Sequence, residues 1–287
     1  MKIGNLNVGD GGPCVIIAEI GISHNGSLEI AKNMIDAAVD AGCSMVKFQK
    51  RSINLCYSEE ELARPRESPL GTTNGDLKRG LEFGFDEYCQ IDEYCRKKNI
   101  LWFASPWDTE SVKFLEQFDL PCYKVASACL TDPELLHAIS ATKKPVIMST
   151  GMSTVGQIHA AIENLWPVRD MALLACTGSY PAAIVDLNLE RIHTLQLLFK
   201  GIPIGYSGHE VGVWSTLCAV AMGAVIVERH LTLDRSSWGS DQAASLEPHG
   251  FAMLCREIRD FEKARGSGEL RLLECEIEVM KKLRRVK

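Results

Sequence analysis

No apolar run in this chain approaches the roughly 20 residues that a membrane-crossing helix needs, and the opening Met1-Lys2-Ile3-Gly4 lacks the charged-then-apolar layout of a secretion signal. The expectation is a cytoplasmic protein with no membrane partner. Long basic runs are missing too. The formal net charge is -6 and the Lys/Arg clusters are interleaved with acids, so the chain lacks the electrostatic footprint of a nucleic-acid binder. The 11 cysteines lie scattered, with no C-x-x-C pair, which excludes the usual thiolate zinc site and predicts reduced thiols. Finally, the first apolar run is not followed by G-x-G-x-x-G, which argues against a doubly wound nucleotide-binding sheet.

What is present is a long alternation. Short β-branched or apolar runs, at Val15–Glu19, Met45–Gln49, Leu101–Ala104, Cys122–Ala126, Pro145–Ser149, Ala172–Cys176, Ile204–Tyr206 and Val225–Glu228, read as strands. Stretches of helical period fall between and after them, at Leu28–Ala41, Phe85–Lys98, Thr109–Gln117, Asp132–Ala141, Thr154–Asn164, Leu189–Phe199, Trp214–Met222 and Pro248–Lys263. This pattern of repeated βα units predicts a TIM (β/α)8 barrel, which typically needs about 250 residues and so takes up nearly all of the 287. The expected organisation is one barrel domain over residues 1–268 and a charged, helix-prone tail over 269–287, ending in the solvated Lys281-Lys282-Leu283-Arg284-Arg285. The connection from Lys50 to Gly84 is unusually long, which predicts a functional or a disordered loop.

A barrel carries its chemistry at the C-terminal ends of its strands. Here those ends are polar: Glu19; Lys47 with Gln49; Ser105; Lys124 with Ser127; Ser149 with Thr150; Thr177; Ser207 with His209; and Glu228 with His230. Neighbouring strands lie about 4.8 Å apart, so His209 and His230 on adjacent ends can share one cation, with Glu210, Glu228 and Asp241 as nearby carboxylates. A structural role for each histidine is the competing reading. Lys47 and Lys124 end apolar strands, where an unpaired ammonium is costly. Either a ligand anion or an internal partner such as Glu19 must meet them; a Schiff-base lysine is a third reading. Ser149-Thr150-Gly151-Met152-Ser153 reads as an anion seat at a helix start or as a plain cap at Ser153. Trp107 and Asp108 stay open between ligand contact and helix cap.

Several segments, in order, make the chain resemble the sialic acid synthase family: Ala18-Glu19-Ile20-Gly21-Ile22-Ser23-His24-Asn25-Gly26, Val46-Lys47-Phe48-Gln49, Lys124-Val125-Ala126-Ser127, Ser149-Thr150-Gly151-Met152, Cys176-Thr177-Gly178-Ser179-Tyr180-Pro181, Gly205-Tyr206-Ser207-Gly208-His209-Glu210 and Glu228-Arg229-His230-Leu231-Thr232. The resemblance spans about Val15 to Pro248. It implies a condensation of phosphoenolpyruvate with an N-acylated amino-sugar aldehyde, phosphate leaving by C–O cleavage. It also implies a divalent metal, manganese or magnesium, on the two histidines His209 and His230, and a homodimer. The positions matching phosphoenolpyruvate contacts are Lys47, Gln49, Lys124, Ser127, Ser149, Tyr180 and Ser207. Ser105 and Thr177 join them as strand-end candidates, while Glu19, Glu228 and Asp241 match acids around the sugar and the reacting centre. The segment Asn74-Gly75-Asp76-Leu77-Lys78-Arg79 and Trp238-Gly239-Ser240-Asp241 look like the animal branch, which implies a 6-phosphorylated sugar whose phosphate meets Lys78 or Arg79, with Asn74 a further substrate contact. Ala175 and Gly178 depart from the family's polar motif, and its usual C-terminal antifreeze-like domain has no counterpart in these residues. A related 3-deoxy-sugar-acid synthase and an inactive sugar-binding barrel are the alternatives.

Overall fold

The computed structural model describes residues 1–9 and 11–286. Eight parallel strands, β1 (Val15–Gly21), β2 (Met45–Lys50), β3 (Leu101–Pro106), β4 (Tyr123–Val125), β5 (Val146–Ser149), β6 (Met171–Cys176), β7 (Ile204–Gly208) and β8 (Ile226–His230), form one sheet in the order β3-β2-β1-β8-β7-β6-β5-β4. Strands consecutive in sequence are therefore neighbours, and β8 returns to pair with β1. The two end strands of that order, β3 and β4, pack side by side and bring the sheet round into a barrel. Eight principal helices, α1 (Leu28–Ala41), α2 (Phe85–Lys98), α3 (Thr109–Leu115), α4 (Pro133–Ala141), α5 (Val155–Asn164), α6 (Arg191–Leu198), α7 (Trp214–Ala221) and α8 (Pro248–Arg265), accompany the strands, as a TIM barrel requires.

The period of two along each strand sorts its side chains. Residues of one parity, such as Ile16, Ala18, Val46, Phe48, Tyr123, Val146 and Leu173, pack between sheet and helices. Those of the other parity fill the interior: Val15, Ile17, Met45, Phe103, Cys122, Ile147, Leu174 and Ile226 form its lower core. A short N-terminal hairpin, Lys2–Ile3 with Leu6–Asn7, adds Ile3 and Val8 to that core and plugs the N-terminal mouth. The same parity continued toward the C-terminal mouth reaches Glu19, Lys47, Ser105, Lys124, Ser149, Cys176, Ser207 and Glu228. The site is thus the upper part of the column that the apolar floor begins.

Several strands run one or two residues beyond the apolar signal at their C-terminal ends. The ladder continues under polar side chains, with Gln49 opposite Ser105, Ser207 opposite Glu228 and His230 opposite Glu19. The long connection after β2 is an ordered excursion with two short helices (Ile53–Cys56, Glu59–Ala63), a hairpin (Pro65–Ser68 with Gly71–Thr73) and an eight-residue helix, Asn74–Leu81. It docks through Phe83, whose ring stacks on buried His24 at 4.1 Å. Two local expectations are corrected or refined. The cap of α5 is Thr154, not Ser153, because Thr154 and Gln157 form a reciprocal capping box. Asp108 caps α3, accepting from the Ser111 amide at 2.7 Å.

Candidate active site

A cavity of about 160 Å³ opens at the C-terminal mouth. Glu19, Lys47, Gln49, Ser105, Lys124, Ser127, Ser149, Tyr180, Ser207, His209, Glu228 and His230 all line it, twelve residues expected from sequence. At its floor lies a buried chain of charges. Lys47 Nζ is 2.9 Å from Glu19 Oε2, 3.3 Å from Glu228 Oε1 and 3.2 Å from Ser105 Oγ. The internal partner foreseen for Lys47 is therefore real. Burial alone would depress the Lys47 ammonium, but Glu19 and Glu228 outweigh it and hold its pKa above the ordinary lysine value. Gln49 fixes the far side of Glu19, its Nε2 donating to Oε1 at 2.6 Å. Gly21, at φ +52°, leaves room for this pair, since a Cβ there would come within 2.9 Å of Glu19 Oε1.

Lys124 is less well compensated. Its nearest partner is the neutral Ser149 hydroxyl at 2.7 Å, and Glu228 Oε1 stands 3.9 Å away. Burial depresses its pKa below the lysine norm; Glu228 offsets this only in part, and Lys47 adds to the depression. Glu228 behaves oppositely. Burial favours its protonated form, yet Lys124 and Lys47 dominate and keep its carboxyl below the usual range, ionised at neutral pH. Its Oε2 is buried and has no hydrogen-bond partner among the described residues.

Higher in the mouth stand the two histidines, their ring centroids 5.4 Å apart. Tyr180 covers them, its ring centroid 3.9 Å from that of His209. His209 Nδ1 lies 2.7 Å from the Thr177 carbonyl, a contact that places the proton on Nδ1 and leaves the Nε2 lone pair free. Burial, then the neighbouring His230, lower the His209 pKa to about 4, so the ring is neutral at pH 7. His230 Nδ1 is buried without a hydrogen-bond partner among the described residues, and Asp241 Oδ2 lies 3.5 Å from it. A neutral imidazole with a free lone pair beside a second with an unsatisfied nitrogen suits a divalent cation. Among the described residues no cluster of three or more His, Cys, Asp or Glu is assembled for a metal, so further ligands would be water or substrate.

Asp241 lines a second, smaller cavity of about 90 Å³, with Ser23, Asn25, Arg66, Lys78, Trp238 and Gln242. The two spaces adjoin through the His230–Asp241 contact. Lys78 reaches this cavity, its ammonium 3.8 Å above the Tyr57 ring, whereas Arg79 points elsewhere and faces Asp76 at 3.7 Å. Asn74 is turned into the excursion, donating to Glu61 Oε1 at 2.8 Å. Thr177 also leaves the main cavity, because its hydroxyl donates to the Asp186 carbonyl at 3.0 Å; only its backbone carbonyl serves the site. Glu210 is not available to a metal. It is wholly buried against Arg229, 3.2 Å away, on the outer face of the barrel.

Sequence reasoning missed Cys176, which stands one position before Thr177 and has the inward parity, and Arg66. Counting parity back from the apolar floor finds the former; no sequence signal marks the latter. The same parity turns Ala175 outward into the sheet–helix layer, so of the two motif departures only Gly178 touches the cavity. Trp107 lines it as well, its indole N–H buried and without a partner.

Comparison with known proteins shows the family. The NeuB family model matches residues 34–270. The chain is 40% identical to human N-acetylneuraminate-9-phosphate synthase over 96% of its own length and 78% of that protein. It is 37% identical to the N,N'-diacetyllegionaminic acid synthase of Campylobacter jejuni over 88% of its length and 78% of the relative. Among solved structures, the N-acetylneuraminic acid synthetase of Leptospira borgpetersenii superposes with a TM-score of 0.86 at 34% identity, covering 100% of this chain and 98% of that one.

Proposed function

Because the chain belongs to the NeuB family, we propose that it condenses phosphoenolpyruvate with an N-acylated amino-sugar aldehyde to give a nonulosonic acid, releasing inorganic phosphate. The observation that carries this reading is the pairing, in one cavity, of an under-compensated buried ammonium with two adjacent histidines, of which His209 is neutral. Lys124, with Ser149, Ser127 and Ser207 around it, is a seat for the phosphate and carboxylate of phosphoenolpyruvate. Lys47 is held by Glu19 and Glu228, and so fixes the two carboxylates more than it attracts an anion. The unpartnered Oε2 of ionised Glu228 is a proton acceptor for the water that adds at C2. Tyr180 covers the mouth and excludes bulk water. His209 and His230 would hold a manganese or magnesium ion, which when bound supplies Lewis-acid polarisation of an aldehyde oxygen.

This assignment makes Lys124→Ala an anion-seat variant. Its KM for phosphoenolpyruvate is expected to rise by about tenfold to a hundredfold, the ~1.5–3 kcal/mol of a charge-assisted contact, while the sugar KM changes little. The reverse pattern, read from initial rates with each substrate varied, contradicts the assignment.

The sugar would lie between the histidine pair and the second cavity, within reach of Asp241. That cavity offers the cations Arg66 and Lys78, which form no ion pair among the described residues. Joining three carbons at sugar C1 turns C6 into C9, so a substrate 6-phosphate becomes the 9-phosphate named in the human relative. We propose that Lys78 and Arg66, rather than Arg79, receive such a phosphate. The experiment is phosphate release with phosphoenolpyruvate and manganese across N-acetylmannosamine, its 6-phosphate and arabinose 5-phosphate. A kcat/KM at least about tenfold higher for the amino-sugar 6-phosphate is expected, worth ~1.4 kcal/mol. Equal values for the free and phosphorylated amino sugar remove the phosphate assignment, and a preference for arabinose 5-phosphate moves the chain to 3-deoxy-sugar-acid synthesis. The homodimer that the resemblance implies is read by sedimentation of the same sample.

A further inference from the structure

At the barrel mouth opposite the candidate site, Cys43 and Cys255 hold their sulfurs 4.0 Å apart. Cys43 follows α1 directly. Gly42 ends that helix in the left-handed conformation at φ +85°, and the Cys43 amide bonds back to the Ala38 carbonyl at 3.0 Å, so its backbone is fixed. Cys255 lies on the inner face of α8, buried, where α8 packs on α1. Cys43 is partly exposed and gives solvent a way to the pair.

We propose that Cys43 and Cys255 form an oxidation site that closes to a disulfide under peroxide, stapling the first barrel helix to the last. The bond would join positions 212 residues apart, across the seam where β1 meets β8. To bond, the sulfurs would close from 4.0 Å to about 2.0 Å. The two thiols are not equivalent. The contact with Cys43, with Arg259 nearby, lowers the Cys255 pKa, whereas the same contact and then burial raise that of Cys43. In the proposed step Cys255 is taken as the attacking thiolate, and the balance is the same with the roles exchanged. Its sulfur takes one peroxide oxygen to become a sulfenic acid, and the other oxygen leaves as water after protonation. Cys43 sulfur then attacks the Cys255 sulfur, expelling the second water. Two thiols and one hydrogen peroxide give one disulfide and two waters.

The test treats the full chain with stoichiometric hydrogen peroxide and maps non-reduced peptides by mass spectrometry. A peptide pair joining Cys43 to Cys255, two hydrogens lighter than its reduced components and restored by dithiothreitol, is expected, with a rise of several degrees in Tm. Cys43→Ser should abolish the cross-link and the Tm rise while leaving kcat/KM of the reduced enzyme within twofold. Cys14→Ser, which changes a neighbouring buried thiol, should leave both intact. Oxidation that stops at sulfenic or sulfinic acid on either residue, or a cross-link from Cys14 instead, overturns the proposal. Because the cross-link and the Tm shift are read without substrate, their outcome stands apart from that of the proposed synthase activity.

Discussion

Changing His209 or His230 to Ala should abolish metal-dependent turnover, lowering kcat by on the order of 1,000-fold or more, while the protein stays folded. The magnitude follows from the several kcal/mol that Lewis-acid stabilisation of developing charge supplies, at about 1.4 kcal/mol per tenfold. Folding should survive because both rings stand at the mouth, above the apolar floor formed by Val15, Ile17, Met45, Phe103 and Leu174. The two variants are expected to differ in one respect. His209 has its proton fixed by the Thr177 carbonyl, so His209→Ala also frees a buried acceptor, and Thr177 has no side chain turned to replace it. Manganese titration by calorimetry on wild type and both variants, with circular dichroism as the folding control, reads the effect. An undiminished rate in either variant, or unchanged manganese affinity, removes the metal role of that residue.

The largest expected effect on stability is at Glu210. This carboxylate accepts from the Tyr206 hydroxyl at 2.9 Å, from Ser215, and pairs with Arg229. Arg229 also donates to the Gly212 carbonyl and to Thr216 Oγ1, both at 2.8 Å. Glu210→Ala leaves a guanidinium buried without its counter-charge, which costs about 3–5 kcal/mol and lowers Tm on the order of 10 °C. Pairing it with Arg229→Met should recover most of that loss, because the uncompensated charge is then gone as well. Chemical denaturation of the single and double variants checks both statements. A loss below about 1 kcal/mol in the single variant would show that the network contributes little. Since Glu210 follows His209 directly, the single variant should also weaken manganese binding.

The barrel was readable because its signal is repeated and local. Each strand is a short apolar run and each helix a longer run of period 3.6, and both are visible in the order of the residues. Three strands extend past their apolar signal, through Ser105, Ser207 and His230, since hydropathy fades where backbone pairing continues. The site was legible for the same reason. Lys47, Lys124 and Glu228 are charges inside otherwise apolar strands, which a core does not tolerate without a purpose. Residues on connections were harder. Thr177, Asn74 and Arg79 lie beside the right elements, yet one hydrogen bond or ion pair turns each away, and those partners are set by loop geometry. Glu210 sits next to His209 but on the opposite parity, and that single step sends it through the wall of the barrel. Arg66 is brought to the second cavity by a hairpin within the excursion, a placement that no periodicity encodes.

The central claim is that Lys124, Glu228 and the histidine pair together drive attack on an aldehyde with loss of phosphate from carbon. Turnover of phosphoenolpyruvate and the preferred amino sugar in ¹⁸O-labelled water, followed by ³¹P NMR, tests it most directly. Phosphate released without solvent ¹⁸O, strictly dependent on the sugar, is the predicted result. Phosphate that carries solvent ¹⁸O, or that appears equally without any sugar, would contradict it.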